Sequence, residues 1–300
     1  MIKITKNLVE ADYVTHAGNF HADDVFSTVF LEKLFDDITV IRLSEYQNDG
    51  TKIAYDIGGG EFDHHQKGFA KTRSDGIHYC GFGLLWQRYG QEYLKKINVT
   101  NIKDTYKVFD YLLVHAIDAI DNGEFSISSA FNVYTISSLI TLFRPKESNS
   151  NEDECFIEAT KFASIIFDLI MNDAISKVQN IEKIEHLIPT IKDEILILDE
   201  YIPYEFALFY LKVDNQVSFI IYPSNRGGYA AHTLSDKYGG YTPKIPFLKE
   251  WAGLRNKELQ KKSGVKTAKF CHNNLFIATA ETKEDALLLA TKTMDKIEHF

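Results

Sequence analysis

The order of apolar segments in the first 100 residues constrains the fold more than any other feature of this 300-residue chain. Residues 13–15, 38–43 and 52–57 have the β-branched and aromatic content of strands. Apolar residues at helical spacing fill residues 25–34 and 83–94. The order strand, helix, strand, strand, helix predicts an α/β sandwich with a largely parallel sheet.

The second half has a different pattern. Residues 103–143 predict two helices broken near Asn122 and Gly123, and the polar residues 146–154 predict a linker. A long helix is expected at 155–186, and a final helix at 283–297. The predicted strands between them cover residues 195–198, 207–211, 217–222 and 275–280. We therefore expect a catalytic α/β domain at 1–148, and a linker helix with a smaller α+β substrate-binding domain at 149–300.

Charge and cysteine content exclude some classes of protein. The net charge of −9 argues against a protein that coats duplex nucleic acid, because such binding needs Lys and Arg. Cys80, Cys155 and Cys271 are far apart and form no CxxC pair, which favours a reducing compartment. We see no signal peptide and no run of about 18 apolar residues. The predicted location is the cytoplasm, with no membrane contact.

Three segments rich in His and Asp lie at predicted strand or helix ends. The first runs from His16 through His21 to Asp23 and Asp24, the second contains Asp56 and Asp63-His64-His65, and the third contains Asp118 and Asp121. The carboxyl ends of strands in open α/β sheets line the ligand crevice. Mixed imidazole and carboxylate ligation suits Mn²⁺, Zn²⁺ or Fe²⁺. The clustering therefore predicts a metal site.

Each residue also has an ordinary structural explanation. Two adjacent His residues in a loop can be solvated, and one His near a strand end is usually only hydrogen-bonded. Asp118 or Asp121 can satisfy backbone groups at a helix end. Only the combination of the three segments favours a metal.

The motifs resemble a known family. The pattern TH-x-G-x-FH-x-DD, then D-x-GG, DHHQ-x-x-F and D-A-I-D-N-G is similar to the Myg-type metal-dependent hydrolases, which are distantly related to DHH phosphoesterases. The C-terminal half also matches, at FLKEWAGLR, SG, FCH and TKEDA. Relative to DHH enzymes, the polar groups of the first segment come one residue late, at His21 and Asp23.

The resemblance implies a phosphodiesterase with two metal ions, most often Mn²⁺. It implies His16, His21 and Asp23 as first-segment ligands, and Asp56 as the carboxylate shared by both ions. His64 and Asp121 complete the implied metal ligands, with Asp118 as the rival of Asp121. His65 is expected to contact the substrate phosphate.

In the second half, Arg255 and His272 are candidate phosphate contacts. Arg255 can instead pair with a carboxylate of its own helix. Residues 224–229 (SNRGGY) can cradle a phosphate or form an ordinary hairpin turn.

The function implied by the resemblance is a 3′–5′ exonuclease acting on RNA or short oligonucleotides, with a homodimer as one possible state. The alternatives are a hydrolase of a small phosphorylated metabolite and a metal-stabilised binding protein without turnover.

Overall fold

The computed structural model describes residues 1–146 and 151–297, and it divides the chain into two units, Met1–Ile175 and Ser176 onwards. A four-stranded sheet forms the centre of the first unit. Its strands are β1 (Ile2–Thr5), β2 (Tyr13–His16), β3 (Ile38–Leu43) and β4 (Ile53–Ala54). The strand order is β1-β3-β2-β4 and every pairing is parallel, which confirms the predicted sheet.

The helices of the first unit include α1 (Ala22–Phe35), α2 (Gly81–Lys96), α3 (Ile102–Phe109), α4 (His115–Asp121) and α5 (Ile136–Thr141). Helix α1 packs against β1 and β3 of this sheet, and other helices of the unit pack against α1. A π-helical turn, Asp110–Val114, joins α3 to α4. The predicted break at Asn122 and Gly123 is confirmed, because α4 ends there with Gly123 at a φ of 68°.

Aromatic packing holds the first unit together. The ring of Phe30 on α1 lies 5.4 Å from Trp86 and 5.7 Å from Tyr93, both on α2. It also lies 6.3 Å from the ring of Phe167. All four side chains are buried, and each buried aromatic side chain of this size removes about 150–250 Å² from water. This packing holds α1, whose first turn carries candidate metal ligands, against α2.

A 36-residue helix, α6 (Glu152–Leu187), begins in the first unit and continues into the second. The predicted linker overlaps its start, and residues 147–150 of that linker lie outside the described residues. The predicted linker ends early because α6 already begins at Glu152. Glu152, Asp153 and Glu154 form the first helical turn, where negative charge is favourable against the helix dipole.

The second unit is an α+β structure around a five-stranded sheet. Its strands are β5 (Ile195–Ile197), β6 (Phe219–Pro223), β7 (Tyr229–Thr233), β8 (Ala268–Cys271) and β9 (Ile277–Ala280). The order is β5-β6-β7-β9-β8, with only β5 and β6 parallel. Its helices are α7 (Glu205–Tyr210), α8 (Asn256–Ser263) and α9 (Lys283–Ile297). The expected α/β part with a smaller C-terminal α+β part is therefore confirmed.

The prediction of a strand at residues 207–211 is wrong. These residues belong to α7 and the turn after it. Five consecutive apolar residues carry no helical or strand period, and only burial against the rest of the unit decides between the two. Here Ala207 and Leu208 are buried while Phe206 and Phe209 are partly exposed, which is a one-sided helical pattern.

Candidate metal centre

The ends of two neighbouring parallel strands carry the first two residues of the site. His16 is the last residue of β2, and Asp56 follows β4, which pairs with β2. His21 lies at the N-cap of α1, and Asp23 and Asp24 lie in its first turn. Parallel strands end at the same edge of the sheet, so these residues meet at one place. His64 comes from the loop after β4, and Asp121 from the end of α4.

Asp56 lies at the centre of the cluster. Its Oδ2 is 3.2 Å from His16 Nε2, and its Oδ1 is 3.1 Å from His64 Nε2 and 2.9 Å from His65 Nδ1. The residue is only 5% exposed and its φ is 58°. Left-handed backbone is unusual for a residue with a side chain, and Asp and Asn tolerate it best. It turns the chain sharply at the strand end and places the carboxylate between the two groups of side chains.

These two groups lie on the two oxygens of Asp56. On the Oδ2 side, His16 Nε2 is 3.4 Å from Asp24 Oδ2. On the Oδ1 side, His64 Nε2 is 3.5 Å from Asp23 Oδ2 and 3.4 Å from Asp121 Oδ2. Two atoms that bind one ion at about 2.1 Å lie about 3.0–3.5 Å apart in common geometries. The observed separations therefore suit ligands of one ion on each side.

Two of the imidazoles are oriented as metal ligands usually are. His16 Nδ1 lies 3.0 Å from the Ala17 carbonyl oxygen, and His64 Nδ1 lies 3.3 Å from Asn122 Oδ1. Asn122 donates its amide hydrogens to the carbonyl oxygens of His78 and Asp118, so its Oδ1 is the atom left to face His64. An Nδ1–H donated to oxygen leaves Nε2 free to bind an ion, and in both residues Nε2 faces the carboxylates.

Burial favours the neutral form of the four acids Asp23, Asp24, Asp56 and Asp121. Burial, together with the charges of Asp56 and Asp121, raises the pKa of Asp23 well above its usual value. Burial, assisted by Asp56, raises the pKa of Asp24 to about 7 and that of Asp121 to about 6. Burial also acts to raise the pKa of Asp56, but hydrogen bonds from three imidazoles outweigh burial and lower this pKa.

The imidazoles respond to the same acids. Desolvation opposes protonation of His16, yet its bond to Asp56 and the charge of Asp24 raise its pKa to about 9. Bonds to Asp56 and Asp63 raise the pKa of His65 to about 10. Burial, with the nearby charge of Arg144, lowers the pKa of His21. Without an ion, protons therefore carry part of the positive charge that this site requires.

Two buried oxygens show that the donor set fits a cation. Asp23 Oδ1 and Asp24 Oδ2 are buried and make no hydrogen bond in the part of the chain that the structure describes. Burying a carboxylate oxygen without a partner costs free energy that a bound cation removes. Asp24 Oδ1 accepts from the His21 backbone N–H at 2.7 Å and so caps α1. The other oxygen of Asp24, Oδ2, faces His16. The arrangement can hold divalent ions.

The structure brings together most of the residues predicted from the sequence. His16, Asp23, Asp56, His64 and Asp121 converge, and His21 forms a potential ligand group with His16 and Asp24. The rings of His64 and His65 lie close together: their centroids are 4.1 Å apart and both contact Asp56 Oδ1. His65 differs in that its side chain is 64% exposed.

The structure separates Asp118 from Asp121. Asp118 Oδ2 accepts from Arg73 Nε at 2.7 Å, and Oδ1 accepts from the Cys80 backbone N–H at 3.0 Å and from its thiol at 2.8 Å. Both oxygens of Asp118 are thus occupied, whereas Asp121 faces His64.

Sequence reasoning gave no role at the site to three groups: Asp24, Asn122 and Arg73. Asp24 had a usable signal, since it adjoins Asp23 in the first turn of α1. Asn122 acts through one hydrogen bond across 58 residues, and nothing in the sequence indicates that distance.

Arg255 and His272 lie in the second unit, where they line a cavity together with residues 224–227. Among the described residues, no carboxylate forms an ion pair with Arg255. Its guanidinium carbon lies 4.5 Å from the centre of the Phe270 ring. Residues 224–228 form a hairpin turn between β6 and β7, closed by Ser224 N–H donating to the Gly228 carbonyl at 2.9 Å.

The fold and the site define a class: an α/β protein with paired His/Asp groups suited to divalent ions at the carboxyl edge of a parallel sheet. The comparisons with known proteins add the family. The family model MYG1_exonuc, described as an uncharacterised protein family (UPF0160), matches residues 12–294, and the chain belongs to this family.

Three relatives illustrate the similarity. A MYG1 protein of Dictyostelium discoideum is 26% identical, over 94% of this chain and 96% of the relative. A MYG1 protein of Schizosaccharomyces pombe is also 26% identical, over 96% and 98%. A Mus musculus protein named MYG1 exonuclease is 22% identical, over 93% and 84%. No solved structure matches the chain.

Within the described residues, none of the helices combines the length and the apolar character needed to cross a membrane.

Proposed function

We propose that this protein is a metal-dependent phosphodiester hydrolase whose ions bind between β2, β4, α1 and α4. The observation that carries the proposal is the set of buried carboxylates around Asp56, two of which keep an oxygen without a hydrogen bond: Asp23 Oδ1, and Asp24 Oδ2, which faces His16. Buried charges of one sign persist in proteins when ions neutralise them. The name of the mouse relative, an exonuclease, agrees with this chemistry.

In this proposal, Asp56 would be shared by two groups of ligands. His16 and Asp24, with His21 beside them, would hold one ion. Asp23, His64 and Asp121 would hold the other. When bound, divalent ions supply positive charge that offsets the charge developing on the phosphoryl oxygens. Two ions, with Mn²⁺ as the preferred metal, match this set of oxygen and nitrogen ligands.

His65 is assigned to the substrate. Its Nδ1 is held by Asp56 at 2.9 Å, which fixes the ring, and its exposed side chain is open to a ligand. The protonated ring donates Nδ1–H to Asp56 and still carries Nε2–H, which donates to a phosphoryl oxygen. That bond strengthens as charge accumulates on the oxygen, so His65 accelerates the reaction more than it tightens ground-state binding.

The proposed substrate is RNA or a short oligonucleotide, degraded from its 3′ end. The net charge of −9 favours a second candidate, a small phosphorylated metabolite, because a long nucleic acid requires a basic track.

The test uses the full chain with Mn²⁺ and a single-stranded oligoribonucleotide labelled at its 5′ end. Stepwise shortening of the labelled product is expected, and chelation should stop it. Asp56→Asn should be inactive, whereas Asp12→Asn, which changes an exposed carboxylate in the same unit, should keep full activity. Cleavage of a small phosphate ester but not of the oligonucleotide would favour the second candidate. Absence of metal-dependent cleavage of both substrates would refute the hydrolase.

A further inference from the structure

The second unit contains a cavity of about 940 Å³ that the metal chemistry does not use. This is within the range of about 300–1,000 Å³ that is common for small-molecule sites. The β6–β7 hairpin, the adjoining strands β8 and β9, and the start of α8 form its walls. All of these elements belong to one unit, so the cavity is a property of that unit alone.

The charge of the cavity lining is positive, although the chain as a whole is negative. Arg226, Arg255 and Lys269 line it, and no Asp or Glu does. Lys269 is paired with Glu281 at 2.8 Å. Within residues 1–146 and 151–297, no carboxylate forms an ion pair with the guanidinium of Arg226 or of Arg255. In a chain with nine more acids than bases, a lining of this kind favours an anionic ligand.

The same lining is aromatic. The rings of Tyr201 and Tyr222 lie 5.2 Å apart, and those of His272 and Phe276 lie 4.4 Å apart. Tyr201 is 59% exposed, and the other three rings are partly exposed. Aromatic side chains that are left accessible beside unpaired cations offer flat apolar surfaces that a simple anion does not use.

Arg255 combines the positive charge of the cavity lining with an aromatic contact. Its guanidinium carbon lies over the Phe270 ring, 4.5 Å from the ring centre, and the residue is exposed. A guanidinium beside an aromatic ring can stack against a planar ligand and can also donate to phosphate oxygens. His272 is held as well: Asn274 N–H donates to its Nδ1 at 3.0 Å, so the proton of the neutral ring lies on Nε2, available to an acceptor.

We propose that this cavity binds one nucleoside phosphate unit, with the base stacked among the aromatic side chains and the phosphate held by Arg226 and Arg255. The proposal rests on the proposed function, and it specifies that the substrate is recognised through a base as well as through a phosphate. The unit can be a free mononucleotide or one residue of a single-stranded oligonucleotide, since both present the same groups.

Binding in the absence of metal tests the proposal. The full chain in excess EDTA is titrated into a fluorescein-labelled five-residue oligoadenylate, and anisotropy is recorded. We expect saturable binding that AMP displaces at much lower concentration than inorganic phosphate does. AMP as effective as unlabelled oligonucleotide identifies a mononucleotide site, and a tighter oligonucleotide identifies a strand site. Phosphate as effective as AMP, or no saturable binding, would overturn the proposal.

Arg255→Gln supplies the variant, and Arg88→Gln is its matched control. Arg88 is also exposed and also lies over an aromatic ring, that of Tyr89 at 4.9 Å, but it belongs to α2 of the first unit. Arg255→Gln should weaken binding by about 10-fold, as loss of one stacking and phosphate contact does, and Arg88→Gln should bind normally. Equal weakening by both would indicate nonspecific charge attraction and contradict the site.

Asp56→Asn separates this proposal from the proposed function. This variant should bind the oligonucleotide in EDTA as the native chain does, while it fails to hydrolyse it. Binding without hydrolysis by the native chain would refute the hydrolase but leave the cavity intact. Hydrolysis by a native chain that does not bind in EDTA would refute the cavity and leave the hydrolase intact.

Discussion

Asp56 shows how one residue can determine both the backbone path and the electrostatics of a site. Its left-handed backbone, at a φ of 58°, is stabilised by its own N–H donating to the Phe62 carbonyl at 3.0 Å. Its carboxylate accepts from three imidazoles, which makes it the strongest acid of the cluster. Backbone conformations of this kind cost about 1–3 kcal/mol and concentrate at functional sites.

Asp56→Asn is the substitution that separates these two roles. Asn tolerates left-handed backbone about as well as Asp does, so the variant should keep its fold in chelator. Because both ions lose a negatively charged ligand, Mn²⁺ affinity should fall by more than the ~10–100-fold caused by losing a group that only supports a ligand. Calorimetric titration with Mn²⁺ measures this. Near-native metal binding would exclude Asp56 as the shared carboxylate.

His64 and His65 allow a comparison of two neighbours that touch the same oxygen. His64 is buried and faces three carboxylates, and His65 is largely exposed. His64→Ala should lower Mn²⁺ affinity by ~10-fold or more. His65→Ala should keep metal affinity and lower kcat instead, because it removes a bond that strengthens in the transition state.

The measurement for this pair is a metal titration beside steady-state hydrolysis for both variants. Equal loss of metal in the two would make His65 a ligand, and the phosphate contact would then have to come from another group.

At the scale of elements, a π-helical turn and one glycine shape the wall behind the metal centre. The turn at Asp110–Val114 places Asp110 and Asp118 on the same side, where Arg73 bonds to both. Gly83 of α2 leaves the space that the Asp118 carboxylate fills, since a Cβ there would lie 2.3 Å from its Oδ1. The close packing of α2 against α4 therefore depends on glycine at position 83.

Gly83→Ala tests this packing. In an exposed helix, Ala is more stable than Gly by about 1 kcal/mol. Here the Asp118 carboxylate must move, and its bonds to Arg73 and Cys80 are strained, so we expect net destabilisation of about 2–4 kcal/mol. Urea denaturation followed by circular dichroism gives the free energy of unfolding. Gln91→Ala, at an exposed position of the same helix, should change it little; a Gly83→Ala protein as stable as that control would mean that the contact with Asp118 is loose.

Sequence periodicity predicted long elements better than short ones. α6 and α9 were identified because many turns repeat the same pattern, and β3 because it is a β-branched run with clear ends. α7, with six residues, was mistaken for a strand because its apolar run is shorter than two helical turns. The His and Asp residues that converge around Asp56 could be predicted from the strand ends and the motifs. Asn122 and Arg73 were not, because their partners are fixed only by tertiary packing.

For the whole molecule, the balance between buried acids and protons links stability to pH. Without ions, Asp24 has a pKa of about 7 and Asp121 one of about 6, both above the unfolded value of about 3.9. A raised folded pKa means that the native state binds more protons than the unfolded state. The stability contributed by these groups is present below about pH 4 and is lost as pH rises through 6 and 7.

Divalent ions should therefore stabilise the protein more at pH 8 than at pH 5.5. At the lower pH an ion must displace protons from Asp24 and Asp121, which weakens its binding. At pH 8 these carboxylates are ionised and the metal-free protein is less stable, and a bound ligand stabilises in proportion to the logarithm of its concentration over its Kd. The measurement is the unfolding temperature with Mn²⁺ minus that with chelator, at both pH values. Asp56→Asn should show a small difference at either pH, and an equal Mn²⁺ effect at pH 5.5 and pH 8 in the native chain would show that these carboxylates do not bind the ions.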